Sequence, residues 1–199
     1  MKIIYRISEG GYPKEKPEYI TKINCLKNAL THFDENDFTL IADSISEEFK
    51  SEIRKVYNGK IERVNIGHGA GTFNIALNSI EGLDVNEIVY FLEDDYLHKL
   101  ESPEIIKDGL VFADYVTLYD HPDKYLPMYS YGETVKVRRS FYTHWKNTVS
   151  TCMTFGFKYQ TLKEDFPIIQ NYPQSLDHSL FINLKQKGRY LYSSMPGYA

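Results

Sequence analysis

The sequence predicts a single α/β domain: a mostly parallel sheet with helices on both faces, followed by a mixed second half. Three observations predict it. Strand-like and helix-like segments alternate over the first hundred residues, which favours parallel pairing through crossover helices. Polar residues gather just after those strands, where open α/β sheets take ligands. A length of 199 residues suits one core, and no repeat or low-complexity linker divides the chain.

The elements follow in order. Lys2–Ile7 reads as a buried strand, followed by the turn formers Ser8 to Pro13. Ile20, Ile23, Leu26, Leu30 and Phe33 give Tyr19–His32 a helical period. Phe38–Ala42 is a second strand ending at Asp43, and Ser46–Tyr57 a helix with Ser46 as its cap before two acidic residues. Ile61–Ile66 is a third strand, leading into Gly67-His68-Gly69-Ala70-Gly71. Thr72–Ile80 is a helix, and Glu87–Leu92 a fourth strand that ends at Glu93-Asp94-Asp95. Beyond it, Tyr115–Tyr119 reads as a strand. Thr134–Trp145 and Thr148–Phe157 read as an antiparallel pair turning at Lys146-Asn147. Leu176–Lys187 is a helix stopped by Gly188, and Tyr190–Tyr192 a last strand.

Composition narrows the partners. Lys and Arg number 23 against 27 Asp and Glu, and the resulting net charge of −4 argues against a nucleic-acid partner, which would normally demand a basic face. Cys25 and Cys152 make no disulfide framework, and a cytoplasmic location is expected. The apolar run Met1–Tyr5 breaks at Arg6, too early for a leader peptide, and no transmembrane segment is expected. Peripheral membrane contact stays open.

The acidic cluster carries the chemistry. Like charges at the rim of an apolar strand are costly unless a cation neutralises them. Mg²⁺ and Mn²⁺ want hard oxygen ligands, and Mg²⁺ takes one or two carboxylates while leaving room for phosphates. In an extended segment Glu93 and Asp95 share a face and Asp94 takes the other. A solvated acidic turn is the plainer alternative. The glycine loop can bring backbone N–H groups to a phosphate, or serve only as a strand-to-helix turn. Its spacing departs from the G-x-G-x-x-G of dinucleotide sites, and the acid beyond it is a triple, so a nicotinamide-dependent oxidoreductase is a lesser alternative.

The run Gly69-Ala70-Gly71-Thr72-Phe73-Asn74-Ile75-Ala76-Leu77-Asn78, followed by Val89-Tyr90-Phe91-Leu92-Glu93-Asp94-Asp95, resembles family 2 glycosyltransferases of the GT-A fold. The likeness covers residues 1–100 and reaches the rest only in short pieces. Glu stands at the first acidic position, where the family's D-x-D pattern has Asp. The resemblance implies a single GT-A-like domain, with residues 1–100 holding a nucleotide-sugar donor and 101–199 a carbohydrate or other hydroxyl acceptor. It implies Asp95, with Glu93, as ligand of Mn²⁺ or Mg²⁺, and Ser8, Glu9, Asp43, Gly69, Asn74, Glu93 and Asp94 as donor contacts. It also places an inverting general base at the start of a late helix, where Asp177 stands. A helix N-terminus favours that carboxylate, although an Asp there can equally be a cap.

Other residues carry lesser expectations. His98 can approach the metal or the substrate, His68 a phosphate, and His178 a proton or a phosphate. Trp145 can stack on an acceptor sugar or anchor its strand, and Lys136, Arg138 and Arg139 can form a charged strand face. The family's C-terminal His has no counterpart after His178, so the metal would rely on Asp95, phosphates and water, or on a ligand beyond residue 199. A non-catalytic module that binds nucleotide-sugar and metal is the main alternative to an enzyme.

Overall fold

A computed structural model describes residues 1–11, 15–120, 122–126, 134–171 and 177–199. Tyr12 and Pro13 of the first loop, and Leu176 at the expected start of the late helix, lie outside the described residues.

The first half folds as predicted. Strands β1 (Lys2–Ser8), β2 (Phe38–Asp43), β3 (Ile61–Val64) and β4 (Ile88–Glu93) pair in parallel in the order β3-β2-β1-β4. Between them run α1 (Lys22–His32), α2 (Glu47–Arg54) and α3 (Gly69–Asn78). Thr21 caps α1 by accepting from the Asn24 N–H, and Ser46 caps α2 by accepting from the Phe49 N–H. Alternating strand residues feed two cores. Ile3, Tyr5 and Ile7 pack with Leu26 and Ala29 of α1 and Ile53 of α2. Ile4, Ile41 and Phe91 pack with Phe73, Ala76 and Leu77 of α3 on the other face.

The second half adds α4 (Ser102–Gly109), β5 (Tyr115–Thr117), β6 (Val137–Arg139), β7 (His144–Asn147), β8 (Phe155–Lys158), α5 (Tyr159–Ile169), α6 (Asp177–Gln186) and β9 (Leu191–Met195). The sheet continues from β4 as β8-β5-β9-β7-β6, giving nine strands. Helices α1, α2 and α4 cover one face, and α3, α5 and α6 the other. The domain is α/β with a parallel core and a mixed remainder.

Four expectations change. The proposed pairing of Thr134–Trp145 with Thr148–Phe157 does not occur, because β7 pairs with β6 and β9 while β8 pairs with β4 and β5. Lys146 and Asn147, expected as a turn, lie within β7. Helices α4 and α5 were not expected, although Tyr159, Leu162, Asp165 and Ile169 are buried at helical spacing. Pro167 in the last turns of α5 and Pro103 at the start of α4 mask those periods. Two of the glycines expected in the loop, Gly69 and Gly71, belong to the first turn of α3.

Candidate active site

Register decides where the polar residues meet. Ser8 lies beside Asp43, Asp43 beside Val64, and Arg6 beside Glu93, so the carboxyl ends of β1, β2, β3 and β4 form one edge. Strand β8 runs against β4, with Phe155 opposite Phe91, so the segment leading into β8 arrives at that same edge. The Thr154 hydroxyl accepts from the Glu93 N–H at 3.3 Å.

The acidic cluster is neutralised by the protein's own cations. Arg6, buried in β1, donates to Glu93 Oε1 at 2.7 Å and to the Gly69 carbonyl at 3.1 Å. Its guanidinium lies 5.6 Å from the Phe73 ring centre. Asp94 accepts from the Ser8 N–H at 2.9 Å and pairs with Lys22 at 3.3 Å. Lys22 also donates to the Ser8 and Gly10 carbonyls, pinning the turn after β1. Asp95 pairs with Lys16 at 3.0 Å. Strand geometry stops at Glu93, so Asp94 and Asp95 occupy a turn rather than alternating faces. Burial pushes the Glu93 carboxyl up; Arg6 opposes that, while Asp95, Asp94 and Asp177 add to it. Burial likewise raises Asp94, with Lys22 opposing.

Asp177, the first residue of α6, belongs to this neighbourhood. Its Oδ2 accepts from the Thr151 N–H at 2.5 Å, the Cys152 N–H at 2.6 Å and the Ser150 hydroxyl at 3.1 Å. That leaves Oδ1 without a hydrogen bond among the described residues. The loop it holds contains Cys152 and Met153 with φ of 46° and 58°, left-handed values that non-glycine residues rarely adopt. Burial, with the charge of Asp177, raises the Cys152 thiol to about 11.

The remaining predicted contacts are placed as follows. Glu9 accepts from the Ser46 N–H at 2.6 Å and the Ser46 hydroxyl at 3.0 Å, and the backbone bond lowers its carboxyl below the usual value. Asp43 is buried and accepts from the Ile66 N–H at 2.7 Å and the Gly67 N–H at 2.9 Å, closing the turn after β3. Gly67, at φ 78°, takes a conformation that glycine allows cheaply. Asn74 is exposed on α3 and makes no side-chain hydrogen bond among the described residues. His68 caps α3 by accepting from the Gly71 N–H at 3.1 Å.

Burial decides two open expectations. His98 is a core residue, with Nε2 3.0 Å from the Tyr90 hydroxyl and its ring edge-on to Phe33. Burial lowers its pKa to about 3, with His32 contributing. Trp145 is fully buried and donates to the Ser140 hydroxyl at 2.9 Å, so it anchors β7 and cannot stack on a sugar. Arg138 and Arg139 do form an exposed strand face, with Arg138 over the Phe112 ring. The sequence reading missed Arg6, Lys22 and Lys16 as partners of the cluster. Arg6 had a signal, since a cation in an otherwise apolar buried strand requires a counter-charge.

A divalent cation finds little preformed here. Among the described residues no three His, Cys, Asp or Glu side chains gather to hold one. Glu93, 35% exposed, is held by Arg6 of β1, and Asp94 by Ser8 and Lys22, whereas Asp95, 27% exposed, pairs among the described residues only with the loop residue Lys16. One displaceable carboxylate is the donor set that suits an ion completed by substrate phosphates and water.

The parallel half, joined to an antiparallel continuation, has a GT-A/nucleotidyltransferase-like fold. Solved structures share it. CMP:2-keto-3-deoxy-manno-octonic acid synthetase, solved with CTP, matches with TM-score 0.54 at 12% identity over 96% of this chain and 88% of that one. The 4-diphosphocytidyl-2C-methyl-D-erythritol synthase of Anaerococcus prevotii matches with TM-score 0.55 at 12% identity, over 100% and 89%. S. aureus TarS 1–349 matches with TM-score 0.53 at 20% identity, over 97% of this chain and 60% of that one, and it has also been solved with UDP. This chain thus spans about three-fifths of that TarS fragment. At such identities the likeness is one of fold. No family model matches the chain, and no curated protein does.

Proposed function

We propose that this protein is a divalent-metal-dependent glycosyltransferase, moving a sugar from a nucleoside diphosphate to an acceptor hydroxyl with inversion. The observation that carries this reading is geometric: Asp177 holds the 150–152 loop, and Thr154, just beyond that loop, takes the Glu93 N–H at the end of β4. The edge formed by β1 to β4 (residues 1–100) takes the donor, and residues 101–199 take the acceptor. Ser8, Glu9, Asp43, Gly69, Asn74, Glu93 and Asp94 frame the donor side. Several of them act by holding loops: Glu9 fixes the start of α2, and Asp43 fixes the turn before α3.

A Mn²⁺ or Mg²⁺ ion on Asp95, with Glu93 near it, would offset the charge of the departing diphosphate. Asp177 Oδ1 takes the acceptor's proton as its oxygen attacks, while Oδ2 stays fixed by the 150–152 loop. A reducing, cytoplasmic setting fits the free thiols Cys25 and Cys152. No described helix is long and apolar enough to cross a membrane.

The test is a thermal-shift screen of UDP-, GDP-, CMP- and dTDP-sugars with and without Mn²⁺, followed by donor turnover. One nucleotide-sugar is expected to stabilise the protein more with Mn²⁺, and Asp95→Asn to lose that increment together with turnover. Full metal-dependent activity in Asp95→Asn would remove the metal assignment. Stabilisation without sugar release would indicate a binding module.

Nucleotidyl transfer is the second reading, favoured by one observation: Lys16 and Lys22 both approach the carboxylates from the segment after β1, as a triphosphate would require. It predicts pyrophosphate release from CTP or UTP with a sugar phosphate, in place of nucleoside diphosphate release.

A further inference from the structure

Hairpin tips ordinarily carry glycine, asparagine or aspartate, which suit both the turn and the water around it. The hairpin of β6 and β7 carries two aromatic residues instead. The Ser140 N–H donates to the Thr143 carbonyl at 3.0 Å, which leaves Phe141 and Tyr142 as the tip. Their ring centres lie 4.9 Å apart, Phe141 is 87% exposed, and Tyr142 is exposed as well. A phenylalanine so placed buries little apolar area, so it adds little to the stability of the fold. The Tyr142 N–H donates to Asp108 at 3.3 Å, which fixes the tip to the end of α4, just before the exposed Val111.

Charge singles out the same hairpin. Residues 134–147 hold four cations and no acid, in a chain whose net charge is −4. Lys146 is buried and paired with Asp120, but Lys136, Arg138 and Arg139 are exposed. Arg138 lies over the Phe112 ring, and Asp108 is the acid that meets the tip. Strand direction adds a third observation. Strand β8 runs against β4, β5 against β8, and β9 with β5, so β9 points the same way as β4. His144, next after the turn, lies beside Met195 at the carboxyl end of β9. The aromatic tip and the candidate site therefore lie on one edge of the sheet.

We propose that the β6–β7 hairpin docks this protein on an anionic membrane surface, with Phe141 and Tyr142 entering the headgroup layer and Arg138 and Arg139 meeting lipid phosphates. Aromatic rings suit the boundary between headgroups and acyl chains, and cations beside them gain from the negative surface potential. Charge complementarity selects this partner, because three exposed cations flank the aromatic tip and an uncharged surface would leave them unanswered.

Co-sedimentation of the full chain with vesicles tests the proposal without donor or metal, so its outcome is separate from the transferase reading. Vesicles of equal parts phosphatidylcholine and phosphatidylglycerol are expected to carry the protein down, less so as salt rises, and phosphatidylcholine alone is not. Phe141→Ser is expected to lower the partition roughly tenfold, since one ring no longer leaves water. Arg139→Gln is expected to lower it about fivefold. The Arg139 side chain has no partner among the described residues and Phe141 is exposed, so both variants should keep the urea midpoint of the unaltered protein. Lys60→Gln, an exposed cation before β3 at the opposite end of the sheet, should leave binding unchanged. Equal binding to both kinds of vesicle, or to neither, overturns the proposal. Full binding in Phe141→Ser and Arg139→Gln means that another face docks, and overturns it too. Capture of single-stranded RNA in place of the vesicles would assign the hairpin to a different polyanion.

Discussion

Asp177 reaches the strand ends from far along the chain, and its two oxygens have unequal company. Oδ2 serves the 150–152 loop and Oδ1 has no hydrogen bond among the described residues, so one carboxylate can hold backbone and still accept a proton. Asp177→Asn keeps an oxygen for the loop but removes the base. We expect it to lose roughly 10²- to 10⁴-fold in transfer rate while nucleotide and Mn²⁺ still stabilise the protein. Retained transfer would reduce Asp177 to a pin for the loop. The residue was legible in sequence only through the family resemblance. Its partners were not, because nothing in Ser150-Thr151-Cys152 announces a loop that offers two N–H groups to a distant carboxylate.

Among the elements, α4 shows why close approach matters more than helix propensity. A Cβ on Gly109 would stand 2.6 Å from the Trp145 ring and 2.8 Å from a Val116 methyl group, both on fully buried side chains. Replacing glycine by alanine in a helix ordinarily gains about 1 kcal/mol, whereas overpacking a filled core costs about 1–3 kcal/mol. Gly109→Ala is therefore expected to destabilise by ~1–2 kcal/mol, read as a lower urea midpoint with an unchanged slope. An unchanged or raised midpoint would mean that Trp145 has room to move. The same contact explains the corrected role of Trp145: it fills the space that a glycine on α4 leaves open.

For the whole molecule, acid stability should reflect the buried His98. Its folded pKa, about 3, lies below the ordinary value of 6.5, so the native imidazole stays neutral where the unfolded one protonates. Between those values the unfolded chain binds more protons, and stability therefore falls as pH drops through that window. The slope approaches about 1.4 kcal/mol per pH unit. His98→Gln removes the titration and can still meet the Tyr90 hydroxyl. We expect the stability lost between about pH 7 and about pH 4.5 to shrink by ~2 kcal/mol in that variant, measured by urea unfolding. An equal loss in both proteins would mean that His98 does not set the acid limb.

The sequence by itself determined the parallel half: the succession of β1 to β4 along the chain, the helices between them, and the placing of Ser8, Asp43 and Glu93 at the strands' carboxyl ends. Those features follow from local periodicity and from the geometry of crossover connections, both of which act over short stretches of chain. It also marked the acidic cluster as a place that needs a counter-charge. Only the tertiary structure decided which charges answer it. Pairing of β1 with β4 sets Arg6 beside Glu93, and the antiparallel course of β8 brings the loop that holds Asp177 to the same edge. Burial then turned His98 and Trp145 from candidate ligand contacts into core. Such contacts join residues distant in sequence, and no local pattern encodes them. The acidic cluster was visible as a problem of like charges, and the fold supplied Arg6, Lys22 and Lys16 as its cations.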